Sequence, residues 1–157
     1  MKKLLFTLLL ALPFISFSQA QKKSNVILVS TSDAEPEALK KIGRILLNNG
    51  FVLETVDKDF YILVTKMKTC KYGMGKIANV DVKISVQIDK KEDLSILTIT
   101  GKYNTPDLIS YTIEEFDSKS SPIECCGPKS SLAGASWLIM DGVATKYENG
   151  EISYLTK

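Results

Sequence analysis

No histidine occurs anywhere among the 157 residues, and that absence removes more functions than any residue present supports. Ser-His-Asp and Cys-His catalysis, His-ligated zinc and most proton shuttling near neutral pH all need an imidazole. A carboxylate pair, a lysine or a thiol stays available for chemistry, but none forms a persuasive constellation. Glu114 and Glu115 are adjacent in an expected strand, so they point to opposite faces and cannot cooperate. Asp89, Glu92 and Asp93 fall at a hairpin turn and read as solubilising. The glycine-rich stretch Tyr72-Gly73-Met74-Gly75-Lys76 fails as a phosphate loop. The position five residues before Gly75 is Cys70, and Ile77 follows Lys76 where Ser or Thr is needed. It reads instead as a glycine-permitted turn with solvated lysines. No catalytic, cofactor-binding or metal-ligating residue is assigned, and no enzyme is expected.

An excess of one charge is missing as well. Lys2 and Lys3 account for two of the 20 basic residues, and the remaining 18 match the 18 acids. A neutral domain has no global field to draw in DNA, RNA or an anionic membrane. Nucleic-acid binding is therefore set aside.

What is present begins with an address. Lys2 and Lys3 precede an apolar stretch from Leu4 to Phe17, and Ser18-Gln19-Ala20 supplies small residues at the −3 and −1 positions of a signal-peptidase site. The stretch is about 14 residues, short of the roughly 20 that span a bilayer, and Pro13 would disturb a membrane helix. The expectation is a cleaved secretory signal over 1–20, with no transmembrane segment left after cleavage. The first cysteine is Cys70, so there is no acceptor for a lipoprotein anchor. Residues 21–157 then form one domain, exported to the periplasm or the medium and large enough for a real core.

The pattern along that domain is strand, helix, several antiparallel strands, helix. Asn25–Ser30 is an apolar run read as a buried strand. Ser32 or Asp33 can cap a helix in which Leu39, Ile42, Ile45 and Leu46 form one stripe, ended by Asn48-Asn49-Gly50. Phe51–Val56 and Phe60–Met67 read as a hairpin around Asp57-Lys58-Asp59, followed by a loop or hairpin tip from Lys68 to Lys76. Ala78 to Ile88 alternate apolar and polar with a period of two, which puts one face on a core. Leu94–Tyr103 continues the sheet, and Ile109, Tyr111 and Ile113 predict one more strand. Asp117–Ser130 is a loop. Ser130 or Ser131 caps a second helix carrying Ala133, Trp137, Met140, Ala144 and Tyr147 on one face, ended by Asn149-Gly150, with a last short strand at Ile152–Leu155. The expected architecture is α+β: a mainly antiparallel sheet of about five to seven strands with two helices packed on one face.

The stretch ALKKIGRILLNNGFVLETVDKDFYILVTKM, ending at Met67, sets an amphipathic helix before NNGF and two short strands around an acidic turn. In this it resembles the helix-grip (BamC-like) modules of bacterial envelope proteins and small exported bacterial domains. The resemblance implies a fold and an envelope setting, and it carries over no binding residue.

Two groups of side chains remain as candidate sites. Cys70, Cys125 and Cys126 enter an oxidising compartment. One bridge from Cys70 to Cys125 or Cys126 would close a loop of more than 50 residues and stabilise by about 3–4 kcal/mol. Redox catalysis is disfavoured, because adjacent cysteines before Gly-Pro lack the two-residue spacer of thioredoxin-like sites. Trp137, Met140 and Tyr147 form a stripe that either packs in the core or lines a groove for a hydrophobic ligand or partner peptide. The functional expectation is a non-catalytic envelope domain acting through contact with an envelope protein partner. Its sheet edges and the loops bearing Cys70 and Cys125 are the candidate contact surfaces. The alternative is a carrier for a small hydrophobic or lipid ligand under the C-terminal helix.

Overall fold

A computed structural model describes residues 19–72, 78–104, 120–128 and 131–157. Among them are eight strands and two helices in the order β1 (Val26–Thr31), α1 (Glu35–Asn48), β2 (Leu53–Asp57), β3 (Ile62–Thr65), β4 (Lys68–Tyr72), β5 (Ala78–Lys91), β6 (Leu94–Asn104), β7 (Ser121–Pro122), α2 (Leu132–Ala144) and β8 (Glu151–Leu155). The strands make one antiparallel sheet with the spatial order β2-β3-β5-β6-β1-β8, with β4 added to β5 and β7 to β6. The α+β class holds, and the strand count exceeds the five to seven expected. The expected strand through Ile109, Tyr111 and Ile113, the pair Glu114-Glu115, the tip around Gly73 and Gly75, and nearly all of the signal segment lie outside the described residues.

The additional strand has a physical origin. β5 is fourteen residues long and pairs with β3 only over Val64–Ile62, opposite Ser85–Gln87. Its first half would expose unpaired backbone groups, and Lys68–Tyr72 fills that edge in register with Val82–Ala78. The first five residues of the segment expected as a loop or hairpin tip are therefore a strand, offset by one residue from the β3 register.

The core follows the alternation in β5. Val80, Val82, Ile84, Val86 and Ile88 are all at most 2 % exposed. They join one cluster with Ile27 and Val29 of β1, Leu97 and Ile99 of β6, Leu39, Ile42 and Leu46 of α1, and Trp137, Met140 and Val143 of α2.

The helix ends differ from expectation at two of four places, the start of α1 and the end of α2. α1 starts from Ala34 in an extended conformation with no side-chain cap, because the Asp33 carboxylate is taken by Lys41 and Tyr147. Its other end closes as a Schellman motif. Gly50 sits in the left-handed region (φ +75°), Gly50 N donates to Leu47 O, and Phe51 N donates to Leu46 O at 3.0 Å. α2 is capped by Ser131, whose hydroxyl accepts from Gly134 N at 3.1 Å. It stops at Ala144, so Tyr147 lies in the turn that follows rather than on the helix.

Candidate functional site

The described residues offer one apolar groove of about 680 Å³, between α1 and the β2–β3 hairpin. Its helix wall is a single stripe. Leu39, Gly43 and Leu47 recur every four residues and so stack on one side of α1. Leu39 is nearly buried, Leu47 is 52 % exposed, and between them Gly43 presents no side chain. A Cβ on Gly43 would stand 3.4 Å from Leu63 Cδ1 and 3.9 Å from Leu53 Cδ1. Both are ordinary contact distances, so the fold does not require glycine there. What the missing side chain does is deepen the groove.

The opposite wall depends on a β-bulge. Leu53 pairs with Thr65, but Thr55 pairs with Val64 and Val56 with Leu63, so one extra residue enters β2 at Glu54. Strict alternation from Leu53 would turn Thr55 and Asp57 toward α1. The bulge turns Val56 there instead, beside Leu53 and over the fully buried Leu63. Glu54 is left on the other face, where it pairs with Lys83 at 3.2 Å. The hairpin turn is held by the Asp57 carboxylate, which accepts from Asp59 N at 2.9 Å and Phe60 N at 3.0 Å. Tyr61 then takes a left-handed conformation (φ 50°), uncommon for an aromatic residue, and lines the groove.

The rim is cationic. Lys40, Arg44 and Lys58 line the groove, and no acid does. None of the three belongs to an ion pair among the described residues. A shallower polar depression of about 510 Å³ lies on the other side of the Lys40–Arg44 ridge, and there Glu37 and Glu148 supply negative charge.

The residues singled out from the sequence fall elsewhere. Trp137, Met140 and Tyr147 are 5 %, 0 % and 3 % exposed and belong to the core. The Tyr147 hydroxyl donates to Asp33 Oδ2 at 2.7 Å, Lys41 Nζ donates to the same oxygen at 3.0 Å, and Lys41 Nζ stands 4.4 Å from the centre of the Tyr147 ring. This cluster ties the β1–α1 connection to the turn after α2. Donation from Tyr147, reinforced by Lys41, holds the Asp33 carboxyl below the usual carboxylate range. Burial and the bond to Asp33 raise the Tyr147 phenol. Tyr154 packs 5.8 Å from Trp137 and donates to Asp141 Oδ1 at 2.9 Å. Burial first, and that bond second, push it up to about 12.

Cys70 lies apart from the other two cysteines. The sulfurs of Cys125 and Cys126 lie in close contact with each other, and Cys70 is a separate, half-buried thiol that burial pushes up. The expected bridge from Cys70 to either partner is not formed. Cys70 sits on β4 opposite Val80 of β5. The Cys125 segment lies beyond β6, with Ile123 N bonded to Gly101 O and Cys125 N to Ser24 O. β5 and β6 intervene, and strand spacings of about 4.8 Å put the two segments well past the roughly 7 Å Cα limit of a disulfide.

No group of three or more His, Cys, Asp or Glu able to hold a metal occurs among the described residues, and no helix among them is long and apolar enough to cross a membrane. Set against known proteins, the chain matches no protein family and no curated sequence.

Proposed function

We propose that this chain is an exported, non-catalytic binding domain of the bacterial envelope that engages a protein partner through the groove between α1 and the β2–β3 hairpin. The observation that carries the reading is the groove itself. Leu47 and Val56 stand 52 % and 45 % exposed across it, while Leu39 and Leu63 make a nearly buried floor. Half-exposed aliphatic side chains facing each other over an apolar floor fit a surface that is covered in use.

The export part rests on the Lys2–Ala20 pattern, and the envelope setting on that pattern and on the helix-grip (BamC-like) resemblance, whose helix and hairpin are α1, β2 and β3. The layering behind it, both helices on one face of the sheet, is supported by register. Leu63, nearest to Gly43 of α1, pairs with Val86, and Gly101, whose would-be Cβ stands 3.2 Å from Met140 Sδ of α2, pairs with Ile84. Paired residues share a face, and Ile84 and Val86 are two apart on one strand.

The test is site-specific photo-crosslinking in cells. A benzophenone side chain replaces Leu47 or Val56 in the groove, or Leu138, 48 % exposed on α2, as the control. The expected result is a discrete adduct from the two groove positions, found in the envelope fraction and, for the Leu47 position, lost when Val56 is also Ser. Equal adducts from all three positions, or none, would sink the reading. A second reading, carriage of a small hydrophobic ligand, is favoured by the volume of the same groove and not by space beneath α2, where Trp137 and Met140 are packed.

A further inference from the structure

We infer that the occupant of the groove is an acidic amphipathic helix of about three turns, presented by a protein partner; this rests on the groove being the contact surface proposed above. Length comes first. The helix wall runs from Pro36 to Leu47, about 16 Å at 1.5 Å per residue, which matches three turns of a second helix. The apolar residues are spaced for such a partner. Leu39, the gap at Gly43 and Leu47 repeat once per turn on one wall, with Leu53 and Val56 opposite. A helix laid in the groove with anchors at i, i+3 or i+4, and i+7 meets that spacing.

Charge selects the sign. Lys40 and Arg44 are four residues apart on one side of α1 and repel each other. Lys58 faces them from the hairpin turn, so cations flank the apolar floor on both sides. No acid lines the groove itself, although Glu37 and Glu148 border the neighbouring depression that Lys40 and Arg44 also line. Asp57 caps its own turn, and Glu54 is paired with Lys83 on the far face. Acidic residues flanking an apolar stripe would satisfy all three cations, whereas a basic partner would add to the repulsion. A small amphiphile fits less well, because the groove is open along the side bounded by Leu47 and Val56. Small-ligand sites bury most of the ligand surface.

The missing side chain at Gly43 supports this independently. An alanine there meets only side chains, at contact distance, yet the helix keeps glycine in mid-span at a cost to its own stability. Depth for an inserted anchor residue is what that glycine provides.

The test uses the protein as recovered from cells and three probes. One is a synthetic peptide of about 14 residues with an apolar stripe flanked by Glu. The second is its twin with Lys in place of Glu, and the third is dodecanoate. Binding is read by fluorescence anisotropy and by backbone amide NMR shifts. The acidic peptide is expected to shift the amides of Gly43, Leu47 and Val56 and to bind at least about tenfold tighter than its twin. The Lys40→Glu/Arg44→Glu variant, altered only at exposed positions, is expected to invert that preference with its circular dichroism unchanged. Equal or tighter binding of the Lys twin overturns the inference, as do shifts confined to other surfaces. So does dodecanoate displacing the acidic peptide, which would make the site an acyl-chain carrier. Failure of both peptides, while crosslinking at Leu47 still gives its adduct, removes the acidic helix and leaves the groove as the contact surface. Failure of both experiments removes both.

Discussion

Replacing Gly43 with alanine separates what the fold needs from what the groove needs. The position lies inside α1, where glycine costs about 1 kcal/mol relative to alanine, much of it through the freedom of the unfolded chain. The added methyl carbon would rest 3.4 Å from Leu63 Cδ1 and 3.9 Å from Leu53 Cδ1, with no backbone atom in range. Burying one methyl there adds up to about 0.8 kcal/mol. The sum is a stabilisation of about 1–1.5 kcal/mol, or a Tm rise of about 3–5 °C for a domain of this size. Urea unfolding checks it: the midpoint should rise with the slope unchanged. Two other helical glycines calibrate the result. Gly142 has nothing within 4 Å of its would-be Cβ, so Gly142→Ala should show the helix term alone. Gly134 would drive its Cβ into the Pro128 carbonyl oxygen and to 2.8 Å from that of Gly127, so Gly134→Ala should destabilise. A lower midpoint for Gly43→Ala would refute the reasoning, because the floor of the groove would then be tight packing rather than spare depth.

Three further outcomes are expected. Asp33→Asn keeps an oxygen acceptor but removes the charge that Tyr147 and Lys41 donate to, and should cost about 1–2 kcal/mol in urea melts, after discounting for partial exposure. Because the Asp33 carboxyl is depressed from an unfolded value of 3.8, its contribution is present above that pH and lost below it, so the variant should flatten the acid limb of the stability profile. Tyr154 is raised from 10.0 to about 12, so its contribution is complete below pH 10 and lost as pH rises toward 12. Tyr154→Phe should lessen the fall in stability between those pH values, and an identical fall would remove Tyr154 as its cause. Proteolytic mapping without reductant should find Cys125 and Cys126 linked within one peptide and Cys70 alkylated only slowly in the native protein; a peptide joining Cys70 to either partner would contradict the pairing.

Much of the scaffold was legible because it depends on periodicity, which one sequence displays completely. The alternation from Ala78 to Ile88 is the central strand β5, and the stripe of Leu39, Ile42 and Leu46 is the buried side of α1. Features set by partners distant in sequence were not legible. β4 is a strand because β5 has an edge to fill, and nothing in Lys68–Tyr72 announces that edge. Asp33 reads locally as a helix cap, yet Tyr147, 114 residues away, claims its carboxylate. Gly134 and Gly142 invite one explanation, close packing, and only Gly134 has a neighbour to justify it.

The groove escaped for a sharper reason: its walls come from exceptions to the periodicities that made the rest readable. Leu47 breaks the buried stripe of α1, Gly43 interrupts the helix former by former, and Val56 reaches the groove only through the extra residue at Glu54. Each looks like noise when the criterion is a regular core. Together they form a surface that regular packing would have closed. A bulge, a mid-helix glycine and unpaired like charges all cost stability. Three such costs converge on one cleft, and that convergence is the argument for the contact surface proposed above.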